Sequence, residues 1–340
     1  MIPKTAPAWQ TMNWQKSLAE AIRDPAELLK QLALPESLLP AAQRAAELFP
    51  LRVPHSYLAR MKKGDLNDPL LLQVLPLSAE LAPQPEDFSH DPVGDLEAMP
   101  IPGLLHKYQG RVLLITTGAC AVHCRYCFRR HYPYQQAQSR QSDWQSALDY
   151  IQADNSIEEV ILSGGDPLSL ANDKLASLFA QLAEIPHLTR LRIHTRQPIV
   201  LPERIDNDLL KLFSNCPLKT IMVIHCNHSQ EISSEISNVL AKIAASGCTL
   251  LNQSVLLKGV NDDVATLKRL SETLFSAGIL PYYLHQLDKV NGAAHFAITD
   301  ARALQLEQQL RNALPGYLVP KLVVEKAGEA SKLPLKNLTT

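Results

Sequence analysis

The sequence has little of what a membrane-spanning, secreted or nucleic-acid-binding protein needs. No stretch holds the roughly 18 consecutive apolar residues of a membrane span, and residues 1–9 contain no apolar signal-peptide core. The 33 Lys and Arg nearly balance the 34 Asp and Glu, and a net charge of −1 gives no argument for a nucleic-acid partner. Six cysteines in 340 residues do not indicate a disulfide scaffold. We therefore expect a globular protein of the reducing cytoplasm, with no membrane or nucleic-acid partner.

Three of the cysteines, by contrast, are concentrated in one short segment. Cys120, Cys124 and Cys127 have the spacing C-x3-C-x2-C and directly follow the apolar run at 112–117. Three thiolates can hold three irons of a 4Fe–4S cluster and leave the fourth iron without a protein ligand. An electron-transfer ferredoxin would supply a fourth cysteine. The segment therefore predicts a cluster with one iron open for chemistry.

A zinc site is the main alternative for these cysteines. Zinc needs four ligands in a closed site, and His123 or His131 could be the fourth. The spacing is not one that zinc sites commonly use, which favours the cluster. The other three cysteines are dispersed, and we expect them to be small buried residues rather than ligands: Cys216, Cys226 and Cys248.

The chain changes character after an N-terminal part rich in proline. Residues 1–95 contain short helical patterns separated by prolines and predict a helical region wrapped against the main domain. From residue 111, β-branched runs alternate with amphipathic segments, two of which end at Gly247 and Gly278, as left-handed helix caps would. The predicted strands are Val112–Thr117, Glu159–Leu162, Leu191–Thr195, Thr220–Ile224, Thr249–Val255 and Tyr282–His285.

Alternating strands and helices predict an α/β fold with a parallel sheet and right-handed crossovers. The predicted units fall short of the roughly 250 residues of a full eightfold barrel, so we expect a partial (βα)6 barrel within 96–317. In parallel barrels the chemistry lies at the C-terminal ends of the strands. The cysteine segment follows the first predicted strand and should lie on that face.

The cysteine segment resembles the radical S-adenosylmethionine superfamily. In that superfamily the open iron binds S-adenosylmethionine, which the reduced cluster cleaves to a 5′-deoxyadenosyl radical. The resemblance implies the superfamily's partial (βα)6 barrel. It also implies that the glycine-rich end of the second strand contacts S-adenosylmethionine, through Ser163, Gly164, Gly165 and Asp166. Considered alone, such a segment is as well explained by a tight turn.

Most of the chain resembles one family within this superfamily, the lysine 2,3-aminomutases. The resemblance consists of many short motifs in the same order along the chain. They include 49–54, 64–69, 106–111, 195–205, 252–262, 282–288 and 324–332, together with the cysteine segment.

The resemblance implies pyridoxal phosphate as a second cofactor. The family's cofactor-binding lysine aligns with Lys332, in a C-terminal segment at 318–340, although the family's loop is richer in glycine. The cofactor phosphate would be held by Lys107 and Arg111, with Tyr108 beside them. Arg129 aligns with the arginine that pairs with the substrate carboxylate, for which a planar guanidinium is well suited.

The remaining family positions concern S-adenosylmethionine and the substrate side chain. His225 and Gln253 resemble contacts to S-adenosylmethionine, although core polar residues satisfied locally would have the same pattern. Asp288 and Glu325 align with two acids that hold the distal ammonium of lysine, and Glu325 replaces the family's usual Asp. Paired carboxylates favour a cation. Arginine would also fit them, whereas glutamate would need a basic group there.

The resemblance implies a radical 1,2-amino shift that converts L-lysine to β-lysine, with an electron donor to reduce the cluster. The sequence stops soon after Lys332 and has no cysteine after Cys248, whereas clostridial-type enzymes carry a zinc-binding C-terminal extension. It is therefore most similar to the short bacterial form that makes (R)-β-lysine for elongation factor P. That similarity links it functionally to elongation factor P and its β-lysyl ligase. Alternatives are arginine or glutamate 2,3-aminomutase activity, or a non-catalytic iron–sulfur sensor.

Overall fold

The computed structural model describes residues 13–134 and 144–336, and within them the chain forms one nine-stranded sheet. The strands are hydrogen-bonded in sequence order from β1 to β9. Their bounds are β1 Leu104–Tyr108, β2 Arg111–Thr117, β3 Glu159–Gly164, β4 Arg190–Thr195, β5 Lys219–Ile224, β6 Thr249–Val255, β7 Leu280–His285, β8 Lys321–Val324 and β9 Leu333–Pro334.

Strands β2 to β8 are parallel, and the antiparallel strands β1 and β9 flank them. Within the described chain, β1 and β9 each pair with a single neighbour, so the barrel is open. The six predicted parallel strands are confirmed. Strand β8 adds a seventh parallel strand that the sequence analysis did not predict.

Helices connect the parallel strands and cover the outside of the sheet. Gly247 and Gly278 follow two of them with φ of 93° and 79°, which confirms the predicted caps. The α-helices of the described residues are α1 Trp14–Ala19, α2 Pro25–Gln31, α3 Leu39–Leu48, α4 His55–Leu58, α5 Pro69–Leu72, α6 Gln145–Ala153, α7 Asn172–Ala183, α8 Gln197–Val200, α9 Asn207–Asn215, α10 Ser234–Ala245, α11 Val264–Ser276 and α12 Asp300–Ala313. None of these helices is both long and apolar enough to cross a bilayer.

The N-terminal helices share a hydrophobic core with the sheet. Leu28 and Tyr57 belong to the same buried cluster as Val160 and Ile193. Helix α4 ends at Leu58, after which the chain turns and the backbone N–H of Lys62 donates to Asp68. The N-terminal region therefore packs directly on the barrel.

A buried ion-pair cluster joins this region to the cysteine segment. Glu80 accepts from Arg125 at 2.8 and 2.5 Å and from Arg130 at 2.8 Å. The side chains of Arg125 and Glu80 are fully buried. Arg125 lies between Cys124 and Cys127, so these bonds hold the loop between two of the predicted ligands.

We predict that Glu80→Gln destabilises the protein by about 3–5 kcal/mol, because breaking a buried ion pair leaves two arginines without their counter-charge. The free energy of unfolding in denaturant, followed by circular dichroism, measures the change. The matched control is Asp208→Asn, which removes an exposed ion pair with Lys211 and should change stability by less than about 0.5 kcal/mol. Equal effects of the two substitutions would contradict the prediction.

Candidate active site

A cavity of about 430 Å³ lies at the C-terminal ends of the parallel strands. The cysteine segment after β2, the loop after β3 and the ends of β4 to β8 all contribute to its wall. Every site residue predicted from the sequence lines this one cavity: Cys120, Cys124, Cys127, Lys107, Tyr108, Arg111, Arg129, Ser163, Gly164, Gly165, Asp166, His225, Gln253, Asp288, Glu325 and Lys332.

Close packing against the end of β3 positions the start of the cysteine segment. Gly165 donates its backbone N–H to the Thr117 carbonyl at 2.6 Å, and Asp166 donates to the Ala119 carbonyl at 2.8 Å. A Cβ on Gly164 would lie 2.6 Å from the Thr117 carbonyl oxygen, and φ of Gly164 is 120°. Both glycines are therefore required by the approach of the two loops.

The three cysteines do not form a ready site for a single metal ion. Among the described residues, no three His, Cys, Asp or Glu side chains converge on a point where one metal ion could bind. A zinc ion needs such convergence, whereas each thiolate of a 4Fe–4S site binds a different iron. Of the two candidate fourth ligands, His123 lines the cavity and His131 does not. Each histidine contacts a backbone carbonyl through one ring nitrogen, His123 Nδ1 to Pro50 at 2.8 Å and His131 Nε2 to Asn291 at 3.0 Å.

The protein environment keeps two of these thiols protonated. Burial and the neighbouring cysteine Cys124 raise the pKa of Cys127 to about 11. Burial and the other two cysteines also raise the pKa of Cys120. Iron binds thiolates, so cluster assembly here must release these protons. The dispersed cysteines do not line the cavity. Cys226 and Cys248 are buried as expected, whereas Cys216 is only partly buried.

A continuous chain of ion pairs crosses the other side of the cavity. Asp95 accepts from Lys107 at 2.6 Å and from Arg129 at 2.7 Å. Lys107 also contacts Glu325 at 3.1 Å, and Glu325 in turn pairs with Lys332. Lys107, predicted to bind phosphate, therefore lies between two carboxylates. Arg129 keeps a second contact, from Nη1 to the Ser163 hydroxyl at 3.0 Å.

Arg111 and Tyr108 form a different environment from Lys107. The Arg111 guanidinium lies over the Tyr108 ring at 4.6 Å and lines the cavity. Within residues 13–134 and 144–336 it has no carboxylate partner. Of the two predicted phosphate-binding cations, Arg111 is thus the one without a counter-charge.

The pKa values of the two acids predicted to hold the substrate ammonium are shifted in opposite directions. Burial would raise the pKa of Glu325, but Lys332 and Lys107 outweigh it and lower the pKa to about 2. Burial, and then the charge of Glu325, raise the pKa of Asp288 to about 7. Asp288 Oδ1 is buried without a hydrogen-bond partner in the described chain. A cation entering here would therefore find one fixed carboxylate and one that ionises near neutrality.

Several buried polar atoms of the cavity wall lack partners, which is the condition expected of a ligand site. They belong to side chains at the ends of neighbouring strands and have no acceptor or donor among the described residues: His194 Nε2, His225 Nε2, Gln253 Oε1 and His285 Nε2. His225 and Gln253 are therefore not satisfied locally, which was the alternative to cofactor contact. Burial lowers the pKa of His225 to about 4, so it is neutral. These four unpartnered atoms would suit a ligand that carries several polar groups.

The site also contains residues that the sequence analysis did not single out. Asp95 lies in a loop without any motif, and no sequence signal could have identified it. Arg196 and His285 lie inside the motifs at 195–205 and 282–288, where their burial could have been suspected. Asp166, predicted to bind cofactor, has its carboxylate occupied by Thr195 and by the backbone of Leu168 and Arg196. It thus holds the end of β4 against β3.

Comparison with known proteins defines the class of this site. Residues 114–270 match the family model described as the Radical SAM superfamily. The chain is 49% identical over 332 residues to an L-lysine 2,3-aminomutase of Haemophilus influenzae, covering 98% of each chain. It is 49% identical over 324 residues to that of Escherichia coli, covering 95% of this chain and 94% of the other. With that of Clostridium subterminale it shares 34% identity, covering 96% and 78%.

The barrel, the cysteine segment and the matched model define a radical S-adenosylmethionine enzyme. Within that class, the chain belongs to the L-lysine 2,3-aminomutase family, whose members are isomerases. The cofactors of this family are a 4Fe–4S cluster, S-adenosylmethionine and pyridoxal phosphate. The three thiols, the unpartnered polar atoms and the amine of Lys332 in one cavity fit this set of groups.

We predict that Cys120→Ala, Cys124→Ala or Cys127→Ala each abolishes cluster binding after anaerobic reconstitution, since three ligands are the minimum that leaves one iron open. Iron and sulfide per chain, with the visible absorption of the cluster, provide the measurement. Cys216→Ala, Cys226→Ala and Cys248→Ala are the matched controls and should retain the cluster. A full cluster in any of the first three variants would refute the ligand assignment.

Proposed function

We propose that the protein is an L-lysine 2,3-aminomutase that converts L-lysine to (R)-β-lysine by a radical 1,2-amino shift. One observation carries the proposal: the three cysteines, Lys332 and the acid pair Asp288 and Glu325 line the same cavity. When bound, the cluster and S-adenosylmethionine supply a carbon-centred radical, and pyridoxal phosphate supplies the aldehyde that carries the migrating nitrogen. The protein has to place the substrate between them and exclude water.

Each end of lysine has a suitable partner in this cavity. The Arg129 guanidinium would bind the carboxylate, and its bond to Asp95 fixes its orientation. Asp288 and Glu325 would bind the distal ammonium. Lys332 would hold the pyridoxal aldehyde through Nζ, and Arg111, Tyr108 and Lys107 its phosphate. The unpartnered atoms of His225 and Gln253 and the loop 163–166 would face S-adenosylmethionine.

The acid pair also bears on the alternative substrates. The two carboxylates in the cavity wall disfavour glutamate, whose side-chain carboxylate would add a third negative charge. Arginine stays the competitor, because a guanidinium also fits two carboxylates. The sensor alternative is disfavoured, since the relatives that cover nearly the whole chain carry an enzyme's name.

We further propose that the product serves the modification of elongation factor P in the cytoplasm, through a β-lysyl ligase, with a cellular reductant supplying the electron. The resemblance to the short bacterial form supports this role. The decisive experiment is an anaerobic assay of the reconstituted protein with L-lysine, L-arginine and L-glutamate in parallel. Of the three substrates, only L-lysine should give a β-amino acid product, and chiral chromatography should identify that product as (R)-β-lysine. Turnover of another substrate in preference to lysine would overturn the assignment.

We predict that Lys332→Ala abolishes covalent attachment of pyridoxal phosphate, because the attaching amine is gone. Borohydride reduction of the wild type followed by peptide mass mapping should place the pyridoxyl label on Lys332. Lys326→Ala, an exposed lysine of the same segment, is the control and should be labelled normally. The Lys332→Ala protein should still bind iron, and a label on another lysine in the wild type would contradict the assignment.

We predict that Asp288→Asn lowers kcat/KM for lysine by about two to three orders of magnitude, since losing one partner of a buried charge pair costs about 3–5 kcal/mol. The sign of the pH effect follows from the raised pKa of about 7. Asp288 is neutral below that pH, so kcat/KM should rise as pH increases through 7, and Asp288→Asn should lose this rise. Asp173→Asn, an exposed acid of α7, is the control. Unchanged kcat/KM in Asp288→Asn would contradict the prediction.

A further inference from the structure

Arg196 lies directly after β4 and contacts one of the proposed cluster ligands. Its side chain lines the cavity, the residue is 5% exposed, and Nη1 donates to Cys124 Sγ at 2.7 Å. Its backbone N–H donates to Asp166 at 2.8 Å, which fixes the start of the side chain. A permanently charged guanidinium is therefore held against a thiol that would ligate iron.

The far side of the guanidinium is anchored by three residues. Nη2 contacts the Glu231 carboxylate at 2.9 Å, the Gln73 amide oxygen at 2.6 Å and the Tyr57 hydroxyl at 3.1 Å. Glu231 is fully buried and also accepts from the backbone N–H groups of Asn227 and His228. The anchored group cannot turn away from Cys124 without losing these bonds.

One donor of Arg196 is not used by the protein. Its Nε is buried and has no hydrogen-bond partner among the described residues. Arg130, which pairs with Glu80, also has a buried Nε without a partner in the described chain, so this feature does not by itself distinguish Arg196. The contact to Cys124 is the feature that suits a group acting on the cluster.

Hydrogen bonds to the ligating sulfurs help to set the reduction potential of iron–sulfur clusters. Reduction adds one negative charge to the cluster, and a nearby cation in a low-dielectric site stabilises the reduced form. Glu231 opposes this effect, because its carboxylate partly neutralises the guanidinium. The potential should therefore depend on both residues, in opposite directions.

We propose that Arg196 is a positioning residue for the cluster, which raises the cluster's reduction potential through its bond to Cys124, and that Glu231 limits this increase. The proposal rests on the assignment of Cys124 as a cluster ligand. It concerns the one-electron reduction, in which an external reductant supplies the electron to the oxidised cluster.

The test is a redox titration of the reconstituted cluster followed by electron paramagnetic resonance, without substrate or pyridoxal phosphate. In Arg196→Gln we expect the ratio of reduced to oxidised cluster at a fixed potential to fall about tenfold, which corresponds to about 59 mV for a one-electron couple. Arg196→Lys should recover part of this loss. Glu231→Gln should shift the potential in the positive direction.

Arg60→Gln is the matched control. Arg60 is also an arginine beside the Tyr57 ring, but it donates to the backbone carbonyls of Ser56, Ile199 and Glu231 and contacts no cysteine among the described residues. Its substitution should leave the midpoint potential unchanged. Iron and sulfide content and circular dichroism, measured for every variant, separate loss of cluster or fold from a shift in potential.

The outcomes distinguish this inference from the proposed function. A wild-type protein that binds no cluster after reconstitution would refute the function and this inference with it. A cluster present in Arg196→Gln with the wild-type potential would overturn the inference alone. If Arg196→Gln does not fold, Arg196→Lys and Glu231→Gln decide, and potentials equal to that of Arg60→Gln in both would overturn it.

Discussion

The ion pair between Lys107 and Glu325 links the first strand of the open sheet to the end of β8. Lys107 belongs to β1 and Glu325 directly follows β8, so the two residues face each other across the gap that strand pairing leaves. Backbones approach closely at the same place, because a Cβ on Gly94 would lie 2.8 Å from the Cβ of Ala327. A charge pair rather than a ladder of backbone hydrogen bonds joins β1 to the end of β8. Lys107 and Glu325 both line the cavity, so the wall of the cavity depends on an ion pair that a bound ligand could reach.

Because Lys107 and Lys332 both pair with Glu325, the pKa of that acid lies well below neutrality, whereas the pKa of its neighbour Asp288 is about 7. The difference has a simple cause: Glu325 has two cations beside it, whereas Asp288 is buried beside Glu325, whose charge raises its pKa. Two carboxylates that share a site are pushed apart in pKa in this way. A substrate ammonium would place a positive charge beside Asp288, so ammonium binding and ionisation of Asp288 favour each other. Before a cation binds, the two acids can be buried side by side because Asp288 can remain protonated next to the charged Glu325.

The sequence predicted the elements whose signal is local. All six expected parallel strands are present, and all the predicted site residues line one cavity. Most of them lie near or just after the C-terminal ends of parallel strands, which meet at one edge, whereas Lys107 and Tyr108 lie in β1 and Arg111 begins β2. The sequence missed the features that depend on distant pairing. Asp95 meets Arg129 across 34 residues, and Lys107 meets Glu325 across 218. Neither periodicity nor spacing carries information about which buried charges will meet.

The N-terminal region supplies a partner to each buried arginine around the cysteine segment. Glu80 binds Arg125, Gln73 and Tyr57 bind Arg196, and Asp95 binds Arg129. Without these partners the barrel would keep buried cations with unmet hydrogen bonds, whose free-energy cost is several kcal/mol per charge. We infer that residues 13–95 and the barrel form one cooperative unit, although the sequence separates them by composition. The cysteine segment is then held on one side by Gly164 and Gly165 at the end of β3, and on the other by these hydrogen-bonded arginines.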